Sequence, residues 1–129
     1  MSKVLVDTSV LVDFLRSKNK TETWFIRMAV RRNLFYISII THAELLSGKS
    51  VWQKREARRE LDDLLSDLQL IELGQNISEH AGSLRAALGI GLLDAIIAAT
   101  AINHGLPLAT FNAKHFQGIK ELELYEETA

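Results

Sequence analysis

The sequence predicts an α/β protein with a mainly parallel central sheet and helices on both of its faces. Three observations carry that expectation. Val4-Leu5-Val6 is a short apolar run without polar alternation, as in a strand buried on both faces. Strand-like and helix-like segments then alternate to the end of the chain, and the compact solution for that pattern is a layered parallel sheet. No repeat, linker or low-complexity segment interrupts the alternation, so residues 1–129 are expected to form a single domain.

With 47% apolar and 24% charged residues, the chain can bury a sizeable core. A net charge of −1 gives no bulk attraction for nucleic acid, so such a partner would need local cations or metal ions. The absence of cysteine excludes disulfides and thiolate metal sites. The first strand starts almost at residue 1 and leaves no room for a signal peptide. The most apolar stretch, residues 92–102, is too short to span a bilayer and carries Asp94. A cytoplasmic protein without membrane contact is expected.

The elements follow in order. Thr8 and Ser9 are good N-caps for a short helix over 10–15. Thr21 can cap a second helix over 22–32, which carries the basic residues Arg27, Arg31 and Arg32 and ends at Asn33. Phe35-Tyr36-Ile37-Ser38 reads as a second strand, rich in aromatic and β-branched residues. A helix over 39–46 follows and is closed by Gly48. Residues 49–67 read as one long charged helix. Leu61, Leu64, Leu65 and Leu68 form its apolar stripe, and Lys54, Arg55, Arg58 and Arg59 alternate with acids on the other side.

Leu70-Ile71-Glu72-Leu73 is a third strand. Asn76 with Glu79 suits the start of a helix over 77–88, and Gly89 and Gly91 lead into an almost wholly apolar helix over 92–103. Residues 106–110 form a fourth strand, with Pro107 near its start. Asn112 can cap a short helical turn to Phe116. Residues 122–125 alternate and suggest an edge strand, and the tail 126–129 is expected to fray.

Three carboxylates sit oddly in this design. Asp7 ends the first strand beside a helix start, at the sheet edge where open α/β folds bind ligands. It can equally close a local turn. Glu44 lies just after the second strand, and its spacing from Thr41 also fits a capping box. Asp94 is favoured by a helix dipole, yet its neighbours are so apolar that a lone charge is costly there unless paired or bound to a cation. All three follow strands or open helices and can meet at one end of the sheet. Such a cluster of hard oxygen ligands suits Mg²⁺ or Mn²⁺ rather than zinc.

These segments together resemble a PIN-domain ribonuclease, in particular the VapC-type toxins of prokaryotic toxin–antitoxin pairs. The carriers are Val4 to Ser9, then Ile37-Ser38-Ile39 with Glu44-Leu45 and Gly48, then the run from Leu93-Asp94 to Ala101. Leu106 to Asn112 follows, ending in His115-Phe116. The resemblance implies a PIN-like three-layer α/β/α sandwich and a metal-dependent endoribonuclease that hydrolyses RNA with activated water. It implies Asp7, Glu44 and Asp94 as ligands of Mg²⁺ or Mn²⁺, with Thr8 and Thr110 as supporting hydroxyls. A fourth acid is common where this chain has Asn112, which can ligate only as a neutral donor. His115 matches a position commonly His or Asp, and a plain surface histidine is its competing reading. The resemblance also implies a cognate antitoxin and a homodimer. Arg27, Arg31, Lys49, Lys54 and Arg58 are candidates to hold flanking phosphates.

A non-catalytic PIN module is the alternative, favoured by Asn112 and opposed by the three intact acids. A haloacid-dehalogenase-type phosphatase needs a second aspartate where Ser9 stands. A receiver domain needs an acidic pair and a mid-chain strand-end aspartate, and the sequence has neither.

Overall fold

A computed structural model of the chain describes residues 2–126, so most of the tail expected to fray lies outside the described residues. The elements are β1 (Lys3–Val6), α1 (Thr8–Arg16), a 3-10 turn at Lys20–Glu22, α2 (Trp24–Val30), β2 (Leu34–Ser38), α3 (Ile39–Leu45) and α4 (Ser50–Gln53). They continue with α5 (Arg55–Ser66), β3 (Gln69–Ile71), α6 (Gln75–Leu88), α7 (Leu92–Asn103), β4 (Leu108–Ala109) and a 3-10 turn at Ala113–Phe116.

The four strands form one parallel sheet in the order β3-β2-β1-β4. Leu5 pairs with Tyr36 on one side and Leu108 on the other. Being central, β1 buries Val4, Leu5 and Val6 completely, which is why its sequence lacks polar alternation. Side chains alternate across the sheet. Leu5 and Leu108 face α6 and α7, through Ala81, Leu84, Ala98 and Ala101, while Val4 and Val6 face α1, α2 and α5, through Leu11, Met28 and Leu61. The expected layering of helices on both faces is the observed one. Among the described residues no helix is long and apolar enough to cross a membrane.

Boundaries shift where capping groups compete. α1 begins at Thr8, not at residue 10, because Asp7 accepts the N–H of Thr8 at 2.9 Å and caps the helix itself. Lys20 closes the other end by donating to the carbonyls of Phe14 at 2.8 Å and Leu15 at 3.1 Å, and its Nζ lies 2.9 Å from Glu60 on α5. Thr23, not Thr21, caps α2. The helix expected over 49–67 is two helices, broken at the extended backbone of Lys54. The Trp52 indole donates to Leu46 O at 2.7 Å and ties α4 back onto the end of α3.

At the sheet edges the strands are shorter than expected. β3 buries only Ile71, and Leu70 and Leu73 stand outside the core. The expected strand over 122–125 is a single parallel bridge, Leu108 to Leu124, held by Leu108 N–H to Glu123 O at 2.9 Å and Tyr125 N–H to Leu108 O at 2.8 Å. α7 spans the predicted residues, and Ala95 to Ala101 are all buried.

The central position of β1 sets a clear expectation. Leu5→Ala, at a site with no exposure, should cost about 2–5 kcal/mol in denaturant unfolding. Leu70→Ala, at 42% exposure on the edge strand, should cost under about 1 kcal/mol.

Candidate active site

The topology reverses between β1 and β4, so a crevice opens at the carboxyl ends of these two strands. Asp7 sits there and is 5% exposed. A buried carboxylate persists only if its oxygens are hydrogen-bonded. Oδ1 accepts the Thr8 N–H at 2.9 Å, and Oδ2 accepts the hydroxyls of Ser9 at 3.1 Å and Thr110 at 2.6 Å. Thr110 directly follows β4, so this bond joins segments 103 residues apart at the crevice.

Glu44 stands exposed on α3, and its Oε1 accepts the Thr8 hydroxyl at 2.7 Å. Thr8 Oγ1 also lies 3.0 Å from the buried Thr41 Oγ1. One hydroxyl carries one proton, so Thr8 gives it to the carboxylate and accepts from Thr41. The capping box between Thr41 and Glu44 does not form. Ser38 caps α3 instead, accepting the N–H groups of Ile40 at 3.1 Å and Thr41 at 3.3 Å, and Thr41 lies inside the helix.

Asp94 lies in the first turn of α7, half-buried, with Oδ2 3.4 Å from His115 Nδ1. Burial pushes the Asp94 carboxyl above its ordinary range. His115 pulls it back, and the Asp7 charge pushes it up again. His115 is therefore exposed, as a surface histidine would be, and also directed at an acid of the site.

Asp7, Glu44 and Asp94 line one open cleft of about 630 Å³, together with Thr8, Ser9, Asn112 and His115, and with Val12, Leu92, Leu93 and Ile97 as apolar walls. Among the described residues no lysine or arginine lines it. Asn112 precedes the last 3-10 turn but makes no side-chain capping bond. Its N–H donates to Thr110 Oγ1 at 2.9 Å. The donor set is carboxylate, hydroxyl and amide oxygen, which fits a hard divalent cation. Among the described residues, though, no three Asp, Glu or His side chains are gathered tightly enough to hold an ion as they stand. Glu44 is engaged by Thr8 and Asp94 faces His115, so the acids share the cleft without closing on one point.

The five cations expected to flank the site lie outside the cleft lining. Arg27 and Arg31 are exposed, on α2 and just after it, Lys49 precedes α4, and Lys54 sits at the α4–α5 break. Arg58 pairs with Asp62 at 2.9 Å and lies over the Trp52 ring, 4.9 Å from its centroid. Ser9 and Thr41 were legible only as capping residues. No local pattern shows that their hydroxyls serve Asp7 and Thr8.

A family model described as the PIN domain matches residues 4–122. The chain belongs to the PIN-domain family. This PIN domain is 33% identical to Ribonuclease VapC10 of Mycobacterium tuberculosis, over 93% of this chain and 90% of that protein. It is 32% identical to Ribonuclease VapC1 of Methanocaldococcus jannaschii, over 98% and 89%. Among solved structures, a toxin-antitoxin complex from Klebsiella pneumoniae has a TM-score of 0.75 at 31% identity, covering 96% of this chain and 99% of that one. VapBC2 from Rickettsia felis, bound to a DNA fragment from its promoter, has a TM-score of 0.77 at 26% identity, covering 95% and 97%. The PIN-like three-layer architecture is thus the observed fold, and PIN-domain VapC ribonucleases are metal-dependent.

The Asp94 environment predicts a pH signature. A carboxyl raised in the folded state favours folding below its unfolded pKa, and that advantage is lost as pH rises through the folded value. In EDTA, Asp94→Asn should therefore melt higher than the parent at neutral pH. The gap should close as pH falls below the ordinary carboxylate range. Thermal melts across pH 3–8 measure it, and a gap that widens on acidification would contradict the assignment.

Proposed function

We propose that this PIN domain, residues 1–129, is a metal-dependent endoribonuclease and the toxin of a VapBC-type toxin–antitoxin pair. The observation that carries the reading is the cleft, where acids from three distant segments share one space without a lysine or arginine among its described lining residues. Asp7, Glu44 and Asp94 would hold Mg²⁺ or Mn²⁺ once Glu44 turns from Thr8 and Asp94 from His115, with Asn112 as a neutral fourth donor. Bound there, such an ion would supply acidification of a water and stabilisation of negative charge on the phosphoryl group.

The protein's own part is orientation. Thr110 and Ser9 fix the Asp7 carboxylate, Thr8 fixes Glu44, and Thr41 fixes Thr8. His115 restrains Asp94 from the opposite wall. Arg27, Arg31, Lys49, Lys54 and Arg58, outside the cleft, hold RNA phosphates further from the scissile bond and set no geometry at it.

The antitoxin docks beside the cleft. A second cavity, of about 310 Å³, is walled by Val12, Leu15, Leu45, Val51 and Leu61, and it shares Glu44 and Val12 with the acidic cleft. An apolar antitoxin helix seated there brings an arginine or lysine to the acids, where it competes with metal and blocks phosphate entry. None of the aromatic residues Trp24, Phe25 and Trp52 lines that cavity. Phe25 is in the core, Trp24 packs on Phe111 and Tyr125, and Trp52 is exposed. The family resemblance supports a homodimer as the assembled unit.

Three measurements test this reading. Asp94→Asn should lose RNA cleavage by about a hundredfold or more, whereas Glu56→Gln, an exposed acid of α5, should retain it. Mn²⁺ should raise the melting temperature over EDTA by mass action, and Asp7→Asn should shrink that rise. Equal cleavage by both variants, with melts indifferent to metal, would remove the site. In the third measurement, the product of a small reading frame adjacent to this one should copurify and suppress cleavage. A neighbour that neither binds nor inhibits would leave a nuclease without the toxin role.

A further inference from the structure

Phe111 is exposed to 53% although it lies between two residues of the site. Thr110 before it donates to Asp7, and Asn112 after it lines the cleft. Its backbone N–H donates to Ser9 Oγ at 3.2 Å, and the Ser9 hydroxyl donates to Asp7 Oδ2 at 3.1 Å. The backbone of Phe111 is thus anchored beside the acidic cleft. Its ring is also backed by a second ring: Trp24 lies 5.3 Å away, centroid to centroid, at 46°. Trp24 in turn rests on Tyr125 at 6.1 Å. An aromatic side chain buttressed on one side and open to water on the other is preorganised to receive a flat apolar partner on its free side.

The chemistry of the cleft says which partner. Its lining offers acids but, among the described residues, no lysine or arginine, so the cleft itself has little hold on a phosphate backbone. A nucleobase has a π face that stacks on any aromatic ring irrespective of sequence. A duplex keeps those faces inside its own stack, whereas unpaired RNA can splay a base outward. We propose that Phe111, backed by Trp24, is the stacking platform for an unpaired nucleobase next to the scissile phosphate. The inference rests on the ribonuclease reading above and adds a positioning residue to it. Phe111 touches no reacting atom. It holds the strand in register over the acids.

The test separates stacking from apolar contact. In a Trp52→Phe background, Trp24 is the sole indole. Oligoadenylate added in EDTA, where cleavage is off, should quench its fluorescence. An RNA hairpin of the same length, closed by a tight four-base loop, should quench it far less. Phe111→Ala should weaken oligoadenylate binding by about tenfold or more. Phe111→Tyr should restore it, and Phe111→Leu should not. With Mn²⁺ added, Phe111→Ala should raise KM with kcat nearly unchanged.

Full binding by Phe111→Leu, or a change of sedimentation in Phe111→Ala, would make the ring a protein contact and overturn the proposal. So would equal binding of hairpin and single strand. A parent protein that cleaves RNA while Phe111→Ala binds normally would overturn the platform and spare the nuclease. A parent that neither binds nor cleaves RNA would bring down both.

Discussion

Burying the carboxylate of Asp7 at the end of the central strand is the condition from which the rest of the site follows. An ionised oxygen withdrawn from water without a partner costs more than most single interactions contribute, and leaving even a neutral acceptor unpaired costs about 1–3 kcal/mol. The chain meets that demand from three directions. The helix start supplies the Thr8 N–H, the first turn of α1 supplies the Ser9 hydroxyl, and the residue after β4 supplies the Thr110 hydroxyl. The last of these requires β4 to lie beside β1, out of sequence order. The same juxtaposition opens the crevice, since α1 after β1 and the 3-10 turn after β4 pack on opposite faces of the sheet. Satisfying Asp7 and creating a place for a ligand are one structural event.

A second layer follows from the first. Because Asp7 caps α1, the Thr8 side chain is released from capping and turns to Glu44, and Thr41 is buried to support Thr8. Because Ser38 caps α3, Glu44 is likewise free of its local role. On the far wall Asp94 opens a helix whose next seven residues are wholly buried, so the core fixes its backbone while the carboxylate stays at the cleft. The energetic cost of assembling three acids is met by packing elsewhere, chiefly along β1 and α7, where side chains have almost no exposure.

The sequence announces what is long, apolar or central. The Val-Leu-Val run, the parallel α/β pattern and both ends of α7 are legible because a fully buried strand and a fully buried helix leave no room for polar residues. Asp7 and Asp94 are legible for the same reason, as charges beside apolar neighbours, whereas Glu44 is singled out only by its place after the second strand and by the family resemblance. What is not legible arises from competition between near-equal local options. Asp7, Thr8 and Ser9 are all good caps, and only the tertiary partners of the two hydroxyls decide which one caps. The Thr41–Glu44 spacing satisfied a real local rule that lost to Ser38 one turn earlier. The break at Lys54 lies in an exposed, charged stretch where helix pattern alone gives no stop. Edge strands shorten because half of their residues have no core to face.

The near-neutral charge of the chain then has a definite meaning for a protein that handles a polyanion. With a net charge of −1 and a cleft lined by acids, recognition is divided among separate elements. On the proposed reading, cations on and around α2, α4 and α5 would act at a distance, the Phe111 ring would act on a base, and a divalent ion would be left to act on the scissile phosphate. That division makes the acidic cleft the common target of activation and silencing. A metal ion and an arginine from an inhibitor are attracted by the same uncompensated carboxylates, and one excludes the other by occupying them. On the proposed reading, Asn112, a neutral donor where the family resemblance implies an acid, would lower that shared attraction for both. A weaker hold on metal and a weaker hold on the inhibitor's cation are therefore two consequences of a single side chain, and neither can be tuned at that position without moving the other.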